Sequence, residues 1–367
     1  MPRTPGVERR DVTAPPGRRA ARRARVVRRR RLLALVALAA ILALIVWVSL
    51  PGSSGPTAPS HSSGNRAGGA SPDARPGSPQ RLAVRRLPFS LPVALQDAAA
   101  APLGSDRAVL LGGLDRADTS TASVSMLDAR GVTAGPQMPE AQHDAQGALL
   151  GGRVYVFGGG QVSSYSHILS YDPATNSVVQ AGSLPTPTSD GAVAAIAGTA
   201  YVVGGYDGQQ ALNTIVAWRP GTSSRVVARL PRGLRYAAVA ASGGRLMIAG
   251  GSQGEAVSSA ILSFDPATGQ LRQIGELPAA ITHASAVTLG SYVYVLGGRG
   301  AAAESQTAAI VAINAASGRC VRVGHLPQPL SDAATIVLGQ RIWLAGGLSM
   351  GGPVASVLEL TPAQGAR

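Results

Sequence analysis

One short segment, Tyr155-Val156-Phe157-Gly158-Gly159, returns along this chain at a nearly constant interval. Its relatives occupy residues 109–113, 201–205, 246–251, 294–298 and 342–347. The first glycine of each pair stands at 112, 158, 204, 250, 297 and 346, so the steps run from 46 to 49 residues. Six copies at this period define a repeat architecture, in which each unit buries its apolar face only against its neighbours.

The order inside each unit is fixed. About 20 residues before the glycine pair stands an apolar-Pro pair: Met138-Pro139, Leu184-Pro185, Leu230-Pro231, Leu277-Pro278 and Leu326-Pro327. The first unit is looser, with both Leu87-Pro88 and Leu91-Pro92. A small-residue run follows, then a short turn such as Ala197-Gly198-Thr199, then the run that ends in Gly-Gly. A third apolar run leads to Asp172-Pro173-Ala174-Thr175 or Asp265-Pro266-Ala267-Thr268. Asp-Pro suits a type I turn, because Pro presets φ and the Asp side chain binds the turn backbone. No segment after residue 86 shows a sustained 3.6-residue apolar period. Four short strands and their turns fill one unit, which is the content of one propeller blade.

The order Leu-Pro, strand, Tyr-Val-x-Gly-Gly, strand, Tyr/Phe-Asp-Pro-x-Thr resembles the Kelch repeat, over roughly residues 81–362. The resemblance implies an all-β, six-bladed Kelch-like β-propeller. It departs from the pattern where Kelch units carry a Trp a few residues after Asp-Pro. Val178 and Leu271 stand there, so aromatic packing between blades is expected to be thin. The sixth unit, with runs at 342–345 and 354–360, lacks a fourth strand. Residues 81–86 precede the first Leu-Pro with no unit of their own, and are expected to close the ring by pairing into the last blade.

The front of the chain is a different polymer. Residues 1–31 hold twelve arginines against Glu8 and Asp11 and read as a basic cytoplasmic tail. Residues 32–50 carry no charge and, as one transmembrane helix, would reach ~29 Å, about the hydrocarbon thickness of a bilayer. The alternative, a cleaved signal, is opposed by the weak cleavage site after Trp47. The arginines beside the span keep the N-terminus inside, so the propeller is expected outside the cytoplasm at the cell membrane as a single-pass protein. Residues 51–80, rich in Pro, Gly and Ser, read as a disordered linker, and 363–367 as a tail.

Splitting the charge matters. The chain carries +14 overall, but from Leu87 onward 16 arginines face 16 acidic residues. The propeller therefore lacks the basic footprint of a nucleic-acid binder, and no nucleic-acid partner is expected. The absence of Lys and the abundance of Ala and Gly resemble a high-GC bacterial source. The single Cys320 excludes an intrachain disulfide.

Function in Kelch-like rings is expected on the face where loops meet the central channel. Counting back 14 or 15 residues from each glycine pair gives Asp97, Asp144, Asp190, Tyr236, His283 and Asp332. Nearby stand His143, Arg232 and Arg235; just after the pairs come Tyr206, Asp207 and Arg299. The repeated Asp reads as a cap on its own innermost strand, since a repeat reuses one local solution. The positions where the copies differ are the candidate ligand-binding face: Arg232, Arg235, Tyr236, His283, Tyr206, Asp207, Arg299 and His143. No catalytic triad order, HExxH, CxxC or phosphate loop is present, and no cofactor or metal is expected. A galactose-oxidase-type copper site would need a Cys near the mouth, whereas Cys320 reads into a turn between outer strands.

The reading is a non-catalytic scaffold for a protein or cell-envelope glycan. The alternatives are a carbohydrate-active enzyme of the mutarotase or oxidase propeller type, and a purely structural envelope protein. Deleting residues 81–86 should lower the melting temperature sharply; an unchanged melting temperature would remove the closure argument.

Overall fold

The computed structural model describes residues 78–363. The expected tail, span and most of the linker lie outside the described residues, as do 364–367. Among the described residues no helix is long and apolar enough to cross a membrane.

Six four-stranded antiparallel sheets form the blades of a ring. Blade 1 comprises Ala99–Pro102, Ala108–Leu111, Thr121–Asp128 and Gly131–Gln142, from the axis outward. Blades 2 to 5 repeat this with innermost strands Gln146–Leu150, Ala192–Ile196, Ala238–Ser242 and Ser285–Leu289. In blade 6, Ala334–Leu338, Arg341–Ala345 and Ser356–Pro362 are completed on the outside by Leu82–Ser90. The register pairs Leu82 with Pro362 and Arg86 with Leu358, then breaks before Ser90. The first and last strands of the domain thus share one sheet.

The core is divided into six wedges, one between each pair of neighbouring blades. Each apolar-Pro pair sends its apolar side chain into a wedge: Met138, Leu184, Leu230, Leu277 and Leu326 are all buried, and in the looser first unit both Leu87 and Leu91 are. Burying a side chain of this size contributes about 1.5–3 kcal/mol, so the repeated Leu is a wedge residue first and a turn residue second.

The expected thin aromatic packing is only partly found. The Kelch Trp position is empty of aromatics, but Tyr171, Trp218 and Phe264 lie fully buried on third strands, and Trp343 and Tyr294 on second strands. These stand at the aromatic positions of the Tyr-Val-x-Gly-Gly and Tyr/Phe-Asp-Pro elements themselves, which fill the wedges without the Trp. The wedge between blades 4 and 5 contains none, and beside it lies a cavity of about 310 Å³ lined by Leu277, Ile281, Val295 and Val311.

The glycine pair is an inter-blade junction. Gly158 has φ +60°, and a Cβ there would collide with the Thr188 carbonyl oxygen of the next blade. Gly159 donates its N–H to that same oxygen at 2.8 Å. Gly346 and Gly347 repeat the arrangement across the closure, with Gly347 N–H donating to Leu95 O at 2.7 Å. No Cβ fits and a left-handed φ is needed, so the sequence must spend two glycines per blade.

Closure also has a polar clamp. The third strand of blade 6 carries Glu359 where blades 2 to 5 have Ser or Ala and blade 1 has Met126. Its side chain is 5% exposed. It accepts from Trp343 Nε1 at 3.0 Å and from Arg85 Nε at 2.8 Å, with Arg341 at 3.8 Å. Burial alone would raise this carboxyl, but hydrogen bonds from Trp343 and Arg85 and the two guanidinium charges hold it below the ordinary range. Its stabilising contribution is therefore present above the unfolded value and lost as pH falls. Further along, Gln80, assigned above to the linker, is held by Tyr294, whose hydroxyl accepts from its N–H at 3.0 Å and lies 3.2 Å from its carbonyl.

Glu359→Ala should cost about 2–4 kcal/mol, because it leaves the buried Trp343 N–H and a guanidinium without their acceptor. Arg85→Ala, removing a largely exposed partner, should cost under ~1 kcal/mol. Urea unfolding of both variants at neutral pH checks the ordering.

Candidate functional site

Each innermost strand is preceded by one residue in the left-handed conformation. These are Asp97, Asp144, Asp190, Tyr236, His283 and Asp332, with φ between 51° and 57°. Each donates its backbone N–H to the carbonyl of its counterpart in the preceding blade, at 2.9 to 3.1 Å, and Asp97 donates to Asp332 across the closure. Six peptide groups thus form a closed ring of hydrogen bonds around the axis.

This overturns the capping role expected for the aspartates. Among the described residues, none of the four carboxylates accepts from a backbone N–H of its own strand, and the N–H of each Asp itself goes to the preceding blade. The side chains instead line a cavity of about 150 Å³ at the channel mouth, together with Tyr236 and His283. Capping was inferred inside one unit, whereas the backbone partner lies one blade away.

The carboxylates are contiguous, on blades 6, 1, 2 and 3. All four line the same cavity, Asp97 next to Asp332 in the ring and Asp144 next to Asp190. Burial, followed by the charges of Asp332 and Asp144, holds Asp97 well above the usual carboxylate range. Asp144 is raised likewise, by burial and then by Asp190. Asp332 is pushed up to about 6 by burial, with the Ser331 hydrogen bond and Arg299 opposing. Ser331 Oγ donates to Asp332 at 2.5 Å.

The other third of the ring is aromatic and cationic. Tyr236 and His283 stack with centroids 3.7 Å apart and planes 21° from parallel. The Tyr236 hydroxyl donates to Asp144 Oδ2 at 3.3 Å. Burial and then the Asp144 charge raise the Tyr236 phenol above its ordinary value. The Arg235 guanidinium lies 4.3 Å from the Tyr206 ring centre and 5.2 Å from that of Tyr236. It donates from Nε to Asp190 Oδ2 at 2.6 Å, and its Nη2 pairs with the same oxygen. Arg299 Nη2 lies 3.1 Å from His283 Nε2. Burial, then the charges of Arg299 and Arg235, lower the His283 imidazole to about 3, so the ring is neutral at physiological pH.

Of the eight candidate residues, the structure brings five together: Tyr206, Arg235, Tyr236, His283 and Arg299. His143 joins from the opposite side, with Nε2 3.5 Å from Asp144 and Nδ1 2.8 Å from Ser120 Oγ. Two do not join. Arg232 is exposed, with no ion pair or side-chain hydrogen bond to these residues. Asp207 closes its own loop, accepting from the N–H groups of Gln209 and Gln210 at 2.7 Å each. What the sequence reading set aside is Asp190 and its acidic neighbours; their even spacing placed them in the ring, but their charge pairing spans blades. Cys320 begins the outermost strand of blade 5, its Sγ 3.0 Å from the Glu276 carbonyl.

This geometry defines a six-bladed propeller with a polar channel mouth at which four of the six ring residues are acidic. The family model described as the KLHDC2/KLHL20/DRC7 Kelch-repeats domain matches residues 99–298, more than half of the chain. The chain belongs to the Kelch-repeat family. A solved structure titled "Structure of YjhT" is similar with a TM-score of 0.65 and 19% identity, over 74% of this chain and 96% of that chain. At that identity the likeness is one of fold. No curated protein matches.

Because Asp332 has a raised value in the folded state, ionising it costs stability, and that cost grows as pH rises through about 6. Asp332→Asn should therefore raise the melting temperature at pH 8 by roughly 2–6 °C and leave it little changed at pH 4, as scanning calorimetry at the two values would show.

Proposed function

We propose that this propeller is a non-catalytic binding module whose channel mouth takes up a segment of a partner protein. One observation carries the reading. A left-handed backbone is among those Asp and His visit most readily, but for a bulky residue such as Tyr236 it is strained, at a cost of order 1–3 kcal/mol. The ring uses Asp in four blades and places Tyr236 and His283 at that conformation in two adjacent ones. Those two side chains stack on each other and are held by Arg235 and Arg299, forming a preorganised flat surface of the kind that anchors protein contacts. Belonging to the Kelch-repeat family supports a protein-binding role in general.

The basic tail and uncharged run at 32–50 support presentation of the module from a membrane, outside the cytoplasm. A cell-envelope glycan is the alternative partner within this binding reading. A second class of function has one observation in its favour. A carboxylic acid raised to about 6 beside a cavity is what a general acid on a sugar would need. Exchange between the α and β anomer signals of added sugars, followed by NMR, separates the two classes.

The test compares partners captured by the full-length chain and by Tyr206→Ala and Arg299→Ala, with Arg272→Ala on an outermost strand as control. Both mouth variants should lose about 10-fold or more of the captured partner, and Arg272→Ala should lose none. Equal capture by all four chains would remove the mouth from the binding reading, and absence of any partner would favour a purely structural envelope role.

A further inference from the structure

The acidic arc is an unusual thing to bury. The side chains of Asp190, Asp332 and Asp144 are 3%, 5% and 13% exposed, and with Asp97 they run contiguously around the mouth. Arg235 serves Asp190, but among the described residues Asp97 has no basic partner and Asp144 has only the His143 imidazole at 3.5 Å, whose protonation burial disfavours. An arc of this kind favours an incoming cation.

His283 supplies the independent observation. A guanidinium only donates, so Arg299 facing Nε2 makes that nitrogen the acceptor and puts the proton of the neutral ring on Nδ1. The side chain is 9% exposed and lines the same cavity, and Nδ1 has no hydrogen-bond partner. A buried N–H without an acceptor calls for an oxygen. Deeper in the channel the wall is apolar and small, made by Ala100, Gly147, Val193, Val239 and Ala286.

A fitting ligand therefore brings a cation, an acceptor oxygen a few bonds away, and a small apolar body. A pyranose would set hydroxyls against a wall without partners for them. A lysine side chain carries no carbonyl near its ammonium. We propose that the mouth receives the free amino terminus of a partner polypeptide, its α-ammonium against the arc of Asp332, Asp97, Asp144 and Asp190 and its first carbonyl oxygen on His283 Nδ1–H. A small first side chain, Gly, Ala or Ser, lies over the apolar wall. This rests on the binding reading above and names its ligand class. The groups that face Asp332 are Asp97, Asp144, Arg299, His283 and Ser331. Affinity should rise with pH through about 6, as Asp332 ionises, and fall again near the α-amino value of about 8.

The experiment is calorimetric titration of the full-length chain with Ala-Gly-Gly amide, its N-acetylated form, N-acetyl-lysine methylamide and glucosamine. The free amine should bind, and acetylation should weaken it at least about 10-fold, the loss expected when a desolvated charge loses its partner. Asp144→Asn, and His283→Phe, which keeps the stack but removes the N–H, should each weaken it to a similar degree. The acetylation comparison needs no variant, so it stands even where a variant fails to fold. Equal binding of the acetylated peptide, tighter binding of the lysine derivative or glucosamine, or no binding of the free tripeptide overturns the proposal. If the tripeptide fails while Tyr206→Ala and Arg299→Ala still lose captured partner, only the amino-terminus assignment falls; if they retain it, the mouth itself is excluded.

Discussion

The ring of six backbone hydrogen bonds is the constraint on which the rest of the molecule depends. Each bond links the residue before one innermost strand to its counterpart in the preceding blade. A second circuit lies alongside, where each second glycine donates to the carbonyl two positions before that residue in the next blade. Neither circuit involves a side chain. Backbone groups buried near the axis must be satisfied somewhere, and here every blade satisfies its neighbour. The blades consequently hold one another at a fixed spacing. The Leu of the apolar-Pro pair and the aromatics of the repeat fill the wedges that this spacing leaves.

That arrangement frees the side chains at the ring. In an isolated turn an Asp with positive φ is commonly consumed by local backbone bonding. At the mouth the local donors are already used, so the carboxylates turn to each other, to Tyr236 and to Arg235. Four carboxylates in one place are costly, and the cost is met by keeping protons on part of the arc and by lending Asp190 a guanidinium. The scaffold is identical from blade to blade while the chemistry differs, which is the condition for a repeat to carry a single asymmetric site.

Much of this was legible in the chain. The glycine period counted the blades, and the missing strand of the sixth unit located the N-terminal partner that Leu82–Ser90 provides. The inner-ring positions followed from a fixed offset, because the offset is a property of the unit. What the chain did not reveal were relations between units. Asp190 and Arg235 lie 45 residues apart and Tyr236 and Asp144 lie 92 apart; neither pair has a sequence signature, so carboxylates facing a cavity read as caps. Arg232 illustrates the reverse. It sits three residues before Arg235 and looks equivalent in sequence, yet the turn leaves it exposed while Arg235 is drawn between Tyr206 and Asp190. The thin aromatic packing expected from the missing Kelch Trp went too far for a similar reason: a wedge needs volume somewhere along its length, and the aromatics of the Gly-Gly and Asp-Pro elements supply it.

The two ends of the molecule's polar chemistry respond to pH in opposite senses. Glu359 has a lowered value, so the closure clamp weakens as pH falls through the range of ordinary carboxylates. Asp97, Asp144 and Asp332 have raised values, so the ring loses stability as pH rises, through about 6 in the case of Asp332. Between these limits the unliganded ring is at its most stable, and at neutral pH it carries a strain of unneutralised charge. Any ligand that brings positive charge to the arc relieves that strain and so draws part of its affinity from it. A binding site that is destabilising when empty is the usual form of the trade between stability and function, and here the trade is confined to side chains, because the hydrogen-bonded backbone ring beneath them does not titrate.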